Sequence, residues 1–281
     1  MGDGISRAVL VTGCSSGIGR ATALHLAGRG FRVYAGARDT GRLGELVDAG
    51  CRPLYLDVTD EQSAREAVGQ VERAEGAVGV LVNNAGYGQS GAVEVVPMAA
   101  VRAQFETNLL GYVRMAQLVL PGMRAQGYGR IVNLSSVAGR VTMPGNAIYS
   151  ASKFAVRAMT DALRFEVGGF GVGVSLVEPG PIRTGFTATA NAGMPDPGDL
   201  PYGAYQEAVA KADAEADESF LAADPERVAR VIERAIRARR PRPRYRVTFV
   251  SRLLPALRGA LPDRAWDAFL RTQAPPPRAE D

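Results

Sequence analysis

Tyr149 and Lys153 stand four residues apart in Tyr-Ser-Ala-Ser-Lys, and Ser136 lies thirteen residues before the tyrosine. On a helix, a four-residue step puts a phenol and an ammonium on one face, one turn apart. The cation then favours the phenolate, because a nearby opposite charge stabilises the ionised form. A free tyrosine titrates near ~10, so acidity at neutral pH asks for about 4 kcal/mol of differential stabilisation. A tyrosine tuned in this way gives and takes a proton on an alcohol or carbonyl oxygen. Lys153 and Lys211 are the only lysines in an arginine-rich chain. A lysine kept at such a position points to a need for a compact ammonium on a flexible stem.

A second cluster opens the chain. Thr12 ends an apolar run, and Gly13-Cys-Ser15-Ser16-Gly17-Ile18-Gly19 then leads into a helical pattern. Glycines permit a tight turn and close approach of a pyrophosphate, and the helix amino terminus offers free N–H groups and positive potential. The spacing is Gly-x-x-x-Gly-x-Gly, distinct from the Gly-x-Gly-x-x-Gly of other dinucleotide folds. Arg38 follows the second apolar run, with no carboxylate until Asp39. A guanidinium can fork onto a phosphate, so the phosphorylated nucleotide, NADP, is expected ahead of NAD. Asp57, ahead of Val58, is placed to accept from an adenine amino group or to serve as a turn aspartate.

The positioning elements follow from periodicity. Apolar runs of strand length recur at 7–12, 31–37, 52–57, 78–82, 129–135 and 172–178, and helical patterns fill 17–29, 40–49, 60–75, 98–125, 148–168 and 224–239. The last starts at Asp224-Pro225, a capping residue followed by proline at the first helical position. Alternating strand and helix demands right-handed crossovers and a parallel sheet covered on both faces. The fold class is therefore α/β, a doubly wound parallel sheet in a Rossmann-type three-layer sandwich, with residues 1–281 as a single domain. Residues 184–222 break the rhythm with Gly, Pro and Ala, and read as a mobile lid over a site. Residues 240–281 form a carboxy-terminal extension, an arginine- and proline-rich strip followed by a packing helix around Trp266, with attachment to a partner or an anionic membrane surface as the other reading.

Composition narrows the class. With 281 residues, 46% hydrophobic and 22% charged, the chain fits one large globular domain. A net charge of +4 suits an anionic cofactor but does not imply nucleic acid. Cys14 and Cys51 are too few for a disulfide scaffold and lie in no metal-ligand spacing, so no metal site and a reducing cytoplasmic location are expected. No run approaches the length of a membrane span, so no integral membrane segment is expected. Met1 to Ser6 matches a loose acylation pattern, read as coincidence. His25 receives no role, and Cys14 reads as a small turn-filling residue.

Taken in order, Thr12-Gly13-x-x-x-Gly17-Ile18-Gly19, Asn83-Asn84-Ala85-Gly86, Asn108, Ser136, Tyr149-x-x-x-Lys153 and Pro179-Gly180 with Thr184 resemble the short-chain dehydrogenase/reductase family over residues 7 to 186. Tyr34-Ala-Gly-Ala-Arg38-Asp and Val177-Glu-Pro-Gly-Pro181 are similar to its 17-beta-hydroxysteroid and retinol dehydrogenase branch. The resemblance implies Tyr149 as acid/base, Lys153 on the nicotinamide ribose and lowering the tyrosine pKa, Ser136 at the substrate oxygen, and Asn108 supporting a water chain. Ser135 is the alternative to Ser136, and the spacing to Tyr149 favours the latter. The cofactor set is then Gly13, Ser15, Ser16, Gly17, Ile18, Gly19, Arg38, Asp57, Val58, Asn84, Ala85, Gly86, Tyr149, Lys153, Pro179, Gly180, Ile182 and Thr184. Tyr87, Val137, Met143, Phe186, Tyr202 and Phe220 are either lining for an apolar pocket or core. The expected activity is hydride transfer between NADP(H) and a small-molecule secondary alcohol or ketone, apolar or polycyclic, by a homodimer or homotetramer pairing through 98–125 and 148–168. A non-catalytic nucleotide sensor or scaffold on the same fold is the rival, and a sugar-nucleotide epimerase or dehydratase a second.

Overall fold

The computed structural model describes residues 5–277. The amino-terminal acylation pattern begins outside the described residues. Its elements in chain order are β1 (Val9–Thr12), α1 (Gly17–Gly28), β2 (Val33–Ala37), α2 (Gly44–Asp48), β3 (Arg52–Tyr55), α3 (Glu61–Glu75), β4 (Val80–Asn83), α4 (Met98–Phe105), α5 (Gly111–Ala125), β5 (Gly129–Leu134), α6 (Ala147–Gly168), β6 (Val172–Glu178), α7 (Phe186–Ala192), α8 (Gly203–Glu218), α9 (Pro225–Arg237), β7 (Arg244–Arg246), α10 (Val250–Ala260) and α11 (Asp263–Gln273). No helix among the described residues is long and apolar enough to cross a membrane.

The strands form one parallel sheet in the order β3-β2-β1-β4-β5-β6-β7. Val9 pairs with Val33 of β2 on one side and with Val80 of β4 on the other. Chain order reverses at that point, so the loops leaving β1 and β4 diverge and open a crevice at the carboxyl ends of the strands. Every residue of β1, β2 and β4 is buried, which explains their unbroken apolar runs. One core packs α1, α2 and α9 on one face of the sheet, and a second packs α3, α5 and α6 on the other. Asp60 caps α3 by accepting from the Ser63 N–H at 3.0 Å.

Four local expectations need correction. The helix expected over 98–125 is interrupted by a π turn at Glu106–Leu110, where one extra residue per turn re-aims Asn108. The pattern at 40–49 divides into a 3₁₀ turn, Thr40–Leu43, and the short α2. Residues 184–222 contain α7 and α8, whose alanine-rich sequence carries helix propensity without a strong apolar stripe. Arg244–Arg246, read as a solvated strip, is a seventh strand at the sheet edge, pairing Leu176 with Arg244. An edge strand exposing charged side chains escapes an apolar-run criterion.

Candidate active site

The phosphate turn is built by crowding. Gly13 has φ +72°, and a Cβ on it would stand 2.8 Å from the Ala85 Cα. A Cβ on Gly19 would lie 2.1 Å from the Gly13 carbonyl oxygen. Gly17 has φ +54° and faces Thr184, whose methyl would lie 3.5 Å from an added Cβ. Only glycine fits these positions without a backbone shift. Ser16 is the residue before α1 and makes no side-chain cap there, and the first turn of α1 holds no acidic residue. Ser15 and Ile18 are partly exposed on the same turn. The α1 amino terminus is thus free to receive an anion.

Asn84 locks this turn to the loop after β4. Its amide donates to the Thr12 carbonyl at 2.9 Å and the Gly13 carbonyl at 3.1 Å. The Thr12 hydroxyl in turn accepts from the Asn84 and Ala85 N–H groups at 3.0 and 2.9 Å. Asp57 accepts at one oxygen from both the N–H and the hydroxyl of Thr59, 2.9 and 2.7 Å away, as a turn aspartate does. Buried Val58 packs against Gly111. Arg38 is exposed and forms no ion pair among the described residues, and Asp39 is turned back onto the Gly41 N–H at 3.0 Å.

The carboxyl ends of β5 and β6 carry the remaining groups. Lys153, 4% exposed, donates to the Leu134 carbonyl at 2.9 Å, and its Nζ lies 5.8 Å from the centre of the Tyr149 ring. Asn108 is fully buried; its Oδ1 accepts from the Tyr87 N–H at 3.1 Å, and its Nδ2 donates to the Tyr87 carbonyl at 3.0 Å and the Ser152 hydroxyl at 3.2 Å. An added Cβ on Gly86 would come within 3.0 Å of Asn108 Oδ1 and 3.6 Å of Lys153 Nζ, so the three residues converge. The Ser135 hydroxyl is buried and donates to the Lys153 carbonyl at 3.1 Å. That leaves Ser136 as the hydroxyl facing the Tyr149 phenol. Pro179 accepts from the Val137 N–H at 2.7 Å, Ile182 bridges to Ala223, and Gly180 abuts the Thr248 hydroxyl.

Electrostatics differ from the sequence expectation. Burial pushes the Tyr149 phenol up to about 12, with the Ser136 hydroxyl pulling the other way. Burial also lowers Lys153 to about 7. The lysine charge that was to acidify the tyrosine is itself desolvated in the polypeptide alone. Burial likewise raises the Cys14 thiol, which donates to the Val11 carbonyl at 3.2 Å and fills space beneath the turn.

Among the six pocket candidates, Phe186 packs on Tyr149 with ring centres 5.4 Å apart. Phe220 is 90% exposed and is neither core nor enclosed lining. Tyr202 donates to Glu94 at 2.6 Å on the rim. Sequence reasoning missed Ser152, which joins Asn108 to the Tyr149 carbonyl through donation at 2.6 Å. It also missed Tyr205 of α8, whose hydroxyl accepts from the Gly145 N–H at 2.7 Å. Neither belongs to a spaced motif.

The family model for short chain dehydrogenases matches residues 7–195. Escherichia coli (strain K12) "Uncharacterized oxidoreductase YbbO" is 35% identical over 272 residues, 95% of each chain. Human 17-beta-hydroxysteroid dehydrogenase type 1 is 39% identical over 280 residues, covering 91% of this chain and 81% of its own. A serine dehydrogenase structure in complex with NADP+ has a TM-score of 0.75 at 27% identity, covering 86% of this chain and 95% of its own. A short chain dehydrogenase/reductase from Burkholderia phymatum in complex with NAD has a TM-score of 0.78 at 27% identity, covering 96% and 97%. The chain belongs to the short chain dehydrogenase family of NAD(P)-dependent oxidoreductases acting on CH–OH groups.

Proposed function

We propose that this enzyme moves hydride between NADP(H) and an apolar, ring-bearing secondary alcohol or its ketone. The observation that carries the reading is the convergence of Asn108, Ser136, Tyr149 and Lys153 beside a glycine-walled crevice. The residues present fit a dinucleotide: Gly13 to Gly19 form a cradle that any Cβ would fill, and the α1 amino terminus beside it is uncapped. Gly13, Ser15, Ser16, Gly17, Ile18 and Gly19 would take the pyrophosphate. Arg38, exposed and unpaired among the described residues, would take a 2'-phosphate. Asp57 and Val58 would flank the adenine, while Asn84, Ala85, Gly86 and Lys153 would hold the inner ribose. Pro179, Gly180, Ile182 and Thr184 would wrap the nicotinamide. When bound, that ring supplies the carbon that donates or accepts hydride.

Tyr149 gives or takes the proton on the substrate oxygen, and Ser136 donates to the same oxygen. Donors aimed at an oxygen that gains charge stabilise the transition state more than the ground state. Lys153 regains its full charge when an anion binds beside it, because the nearby negative charge favours the ammonium. Asn108 holds the Tyr87 backbone and Ser152, fixing the turn under Tyr149. Residues 184–222 act as the lid, with Phe186 bringing it against the acid/base ring. The apolar preference is supported by Phe186 at Tyr149 and by the steroid relative's name. Pairing through α5 and α6 into a dimer or tetramer is supported by Phe165, 82% exposed on α6. The test is a screen of ketones and alcohols, from small polar to polycyclic, followed by nucleotide absorbance near ~340 nm. Turnover confined to polar substrates, or to NAD, contradicts the assignment.

A further inference from the structure

At the end of the sheet remote from Tyr149, the residues preceding β1, β2 and β5 meet the carboxyl end of α9 around a cavity of about 360 Å³. Arg7, Phe31, Tyr128, Arg130, Arg237 and Arg239 line it between apolar side chains, and no acidic residue among the described residues does. The guanidinium carbons of Arg7 and Arg130 lie 5.5 and 4.9 Å from the Tyr128 ring centre, and that of Arg237 lies 4.7 Å from the Phe31 centre. Stacking on a ring occupies the face of a guanidinium and leaves its N–H edge for an acceptor.

The cations are incompletely balanced. Arg237 is paired with Glu233 at 2.7 Å. Arg130 donates to the Gly129 and Ala238 carbonyls at 2.8 and 3.3 Å, but its Nε is buried without a partner. Arg7 and Arg239 make no ion pair among the described residues. Arg227, Arg230 and Arg234 extend the positive field along the exposed face of α9, around the already paired Glu233. Like charges held together in one concavity raise the local affinity for an anion.

We propose that this cavity is a second ligand site, separate from the dinucleotide crevice, that takes a compact phosphate-rich group such as a di- or triphosphate. The N–H edges of the exposed Arg7 and Arg239 match phosphate oxygens, with Arg130 adding positive charge behind them, and a volume near the low end for small-molecule sites suits a group of that size. The stacked guanidiniums already cover the rings, so a nucleobase gains no aromatic face. A soluble polyphosphate and a phosphoinositide headgroup share this chemistry.

The test is calorimetric titration of inorganic triphosphate into the full-length protein saturated with its nicotinamide dinucleotide, which closes the first phosphate site. Binding at one site per chain is expected, weakened at least tenfold in the double variant Arg7→Ser/Arg239→Ser, with turnover unchanged. No binding, or equal binding by parent and variant, overturns the proposal. Sedimentation with phosphoinositide-containing vesicles but not with phosphatidylcholine vesicles, lost in the double variant, assigns the group to a lipid. Triphosphate binding without sedimentation assigns it to a soluble ligand.

Discussion

The ring of Phe186, the first residue of α7, lies 5.4 Å from the ring of Tyr149, with the two planes tilted by 56°. Tilted aromatic pairs at this distance are worth about 0.5–1.5 kcal/mol beyond buried area. The contact therefore couples α7 to the phenol proposed as acid/base. Phe186→Ala is expected to raise KM for an apolar ketone roughly 3- to 10-fold by that energy, with a smaller change in kcat. Steady-state kinetics with a ketone series checks it. A fall confined to kcat would mean that the ring positions the phenol and not the substrate.

Tyr149→Phe keeps the ring packing on Phe186 and removes the proton donor. Turnover is expected to fall by about 10²–10⁴-fold, the usual worth of a positioned general acid. Dinucleotide affinity should stay within about twofold, since Lys153 and the glycine turn are untouched. Fluorescence titration and single-turnover absorbance measure the two effects separately.

These two residues also show what the sequence could and could not convey. Tyr149 and Lys153 are legible because helical spacing and chemistry coincide within five residues, and the glycine turn because only glycine survives its contacts. The burial of β1 and β4 on both faces is legible in their unbroken apolar runs, whereas the strand order is not. By contrast, the Ser152 link to Asn108 depends on a π turn that no propensity marks. β7 is a three-residue edge strand of charged and aromatic residues, with no apolar alternation to signal it. Between Ser135 and Ser136 the spacing to Tyr149 already favours Ser136, and the structure adds that the Ser135 hydroxyl is turned onto the Lys153 carbonyl, as adjacent residues of an extended segment face opposite ways. His25 had no visible reason in the sequence, yet it bonds Glu233 across more than two hundred residues of chain.

In the proposed function, nucleotide choice rests on Arg38. Arg38→Asp replaces a phosphate donor with a carboxylate suited to a ribose hydroxyl, so preference should reverse from NADP to NAD. Loss of a bidentate charged contact plus new repulsion predicts at least a 100-fold change in the ratio of kcat/KM values, from about 1.5–3 kcal/mol per charged hydrogen bond. Equal efficiency of the parent with both nucleotides would contradict the role of Arg38.

The Glu233 cluster predicts acid sensitivity. Burial alone would raise this carboxyl, but hydrogen bonds from His25, Arg237 and Arg29 outweigh it and hold the group at about 2. A carboxyl whose folded pKa lies below its ordinary 4.5 contributes stability that is present above that value. The contribution fades as pH falls from about 4.5 towards 2, where the folded protein too takes up the proton. Glu233→Gln should lower Tm at pH 7 and flatten the acid limb between those values. Thermal melts of both proteins across pH 2.5 to 7 (a chosen range of roughly that span) test the sign.

Lys153 predicts a pH dependence of binding with the opposite sense. Burial holds its ammonium at about 7 in the ligand-free protein, below the ordinary 10.5, so above neutrality the site is increasingly uncharged. An anionic dinucleotide favours the charged lysine and raises its pKa on binding. Each complex formed above pH ~7 must then take up a proton, and affinity should fall up to tenfold per pH unit until the pKa of the bound state is reached. Calorimetry in buffers of different ionisation enthalpy reads that proton directly. Lys153→Met should bind more weakly at pH 6.5, with no proton uptake and a flat profile to pH 9, both values being roughly chosen to bracket the transition. An unchanged slope in that variant would move the titration to another group and remove the lysine from the dinucleotide site.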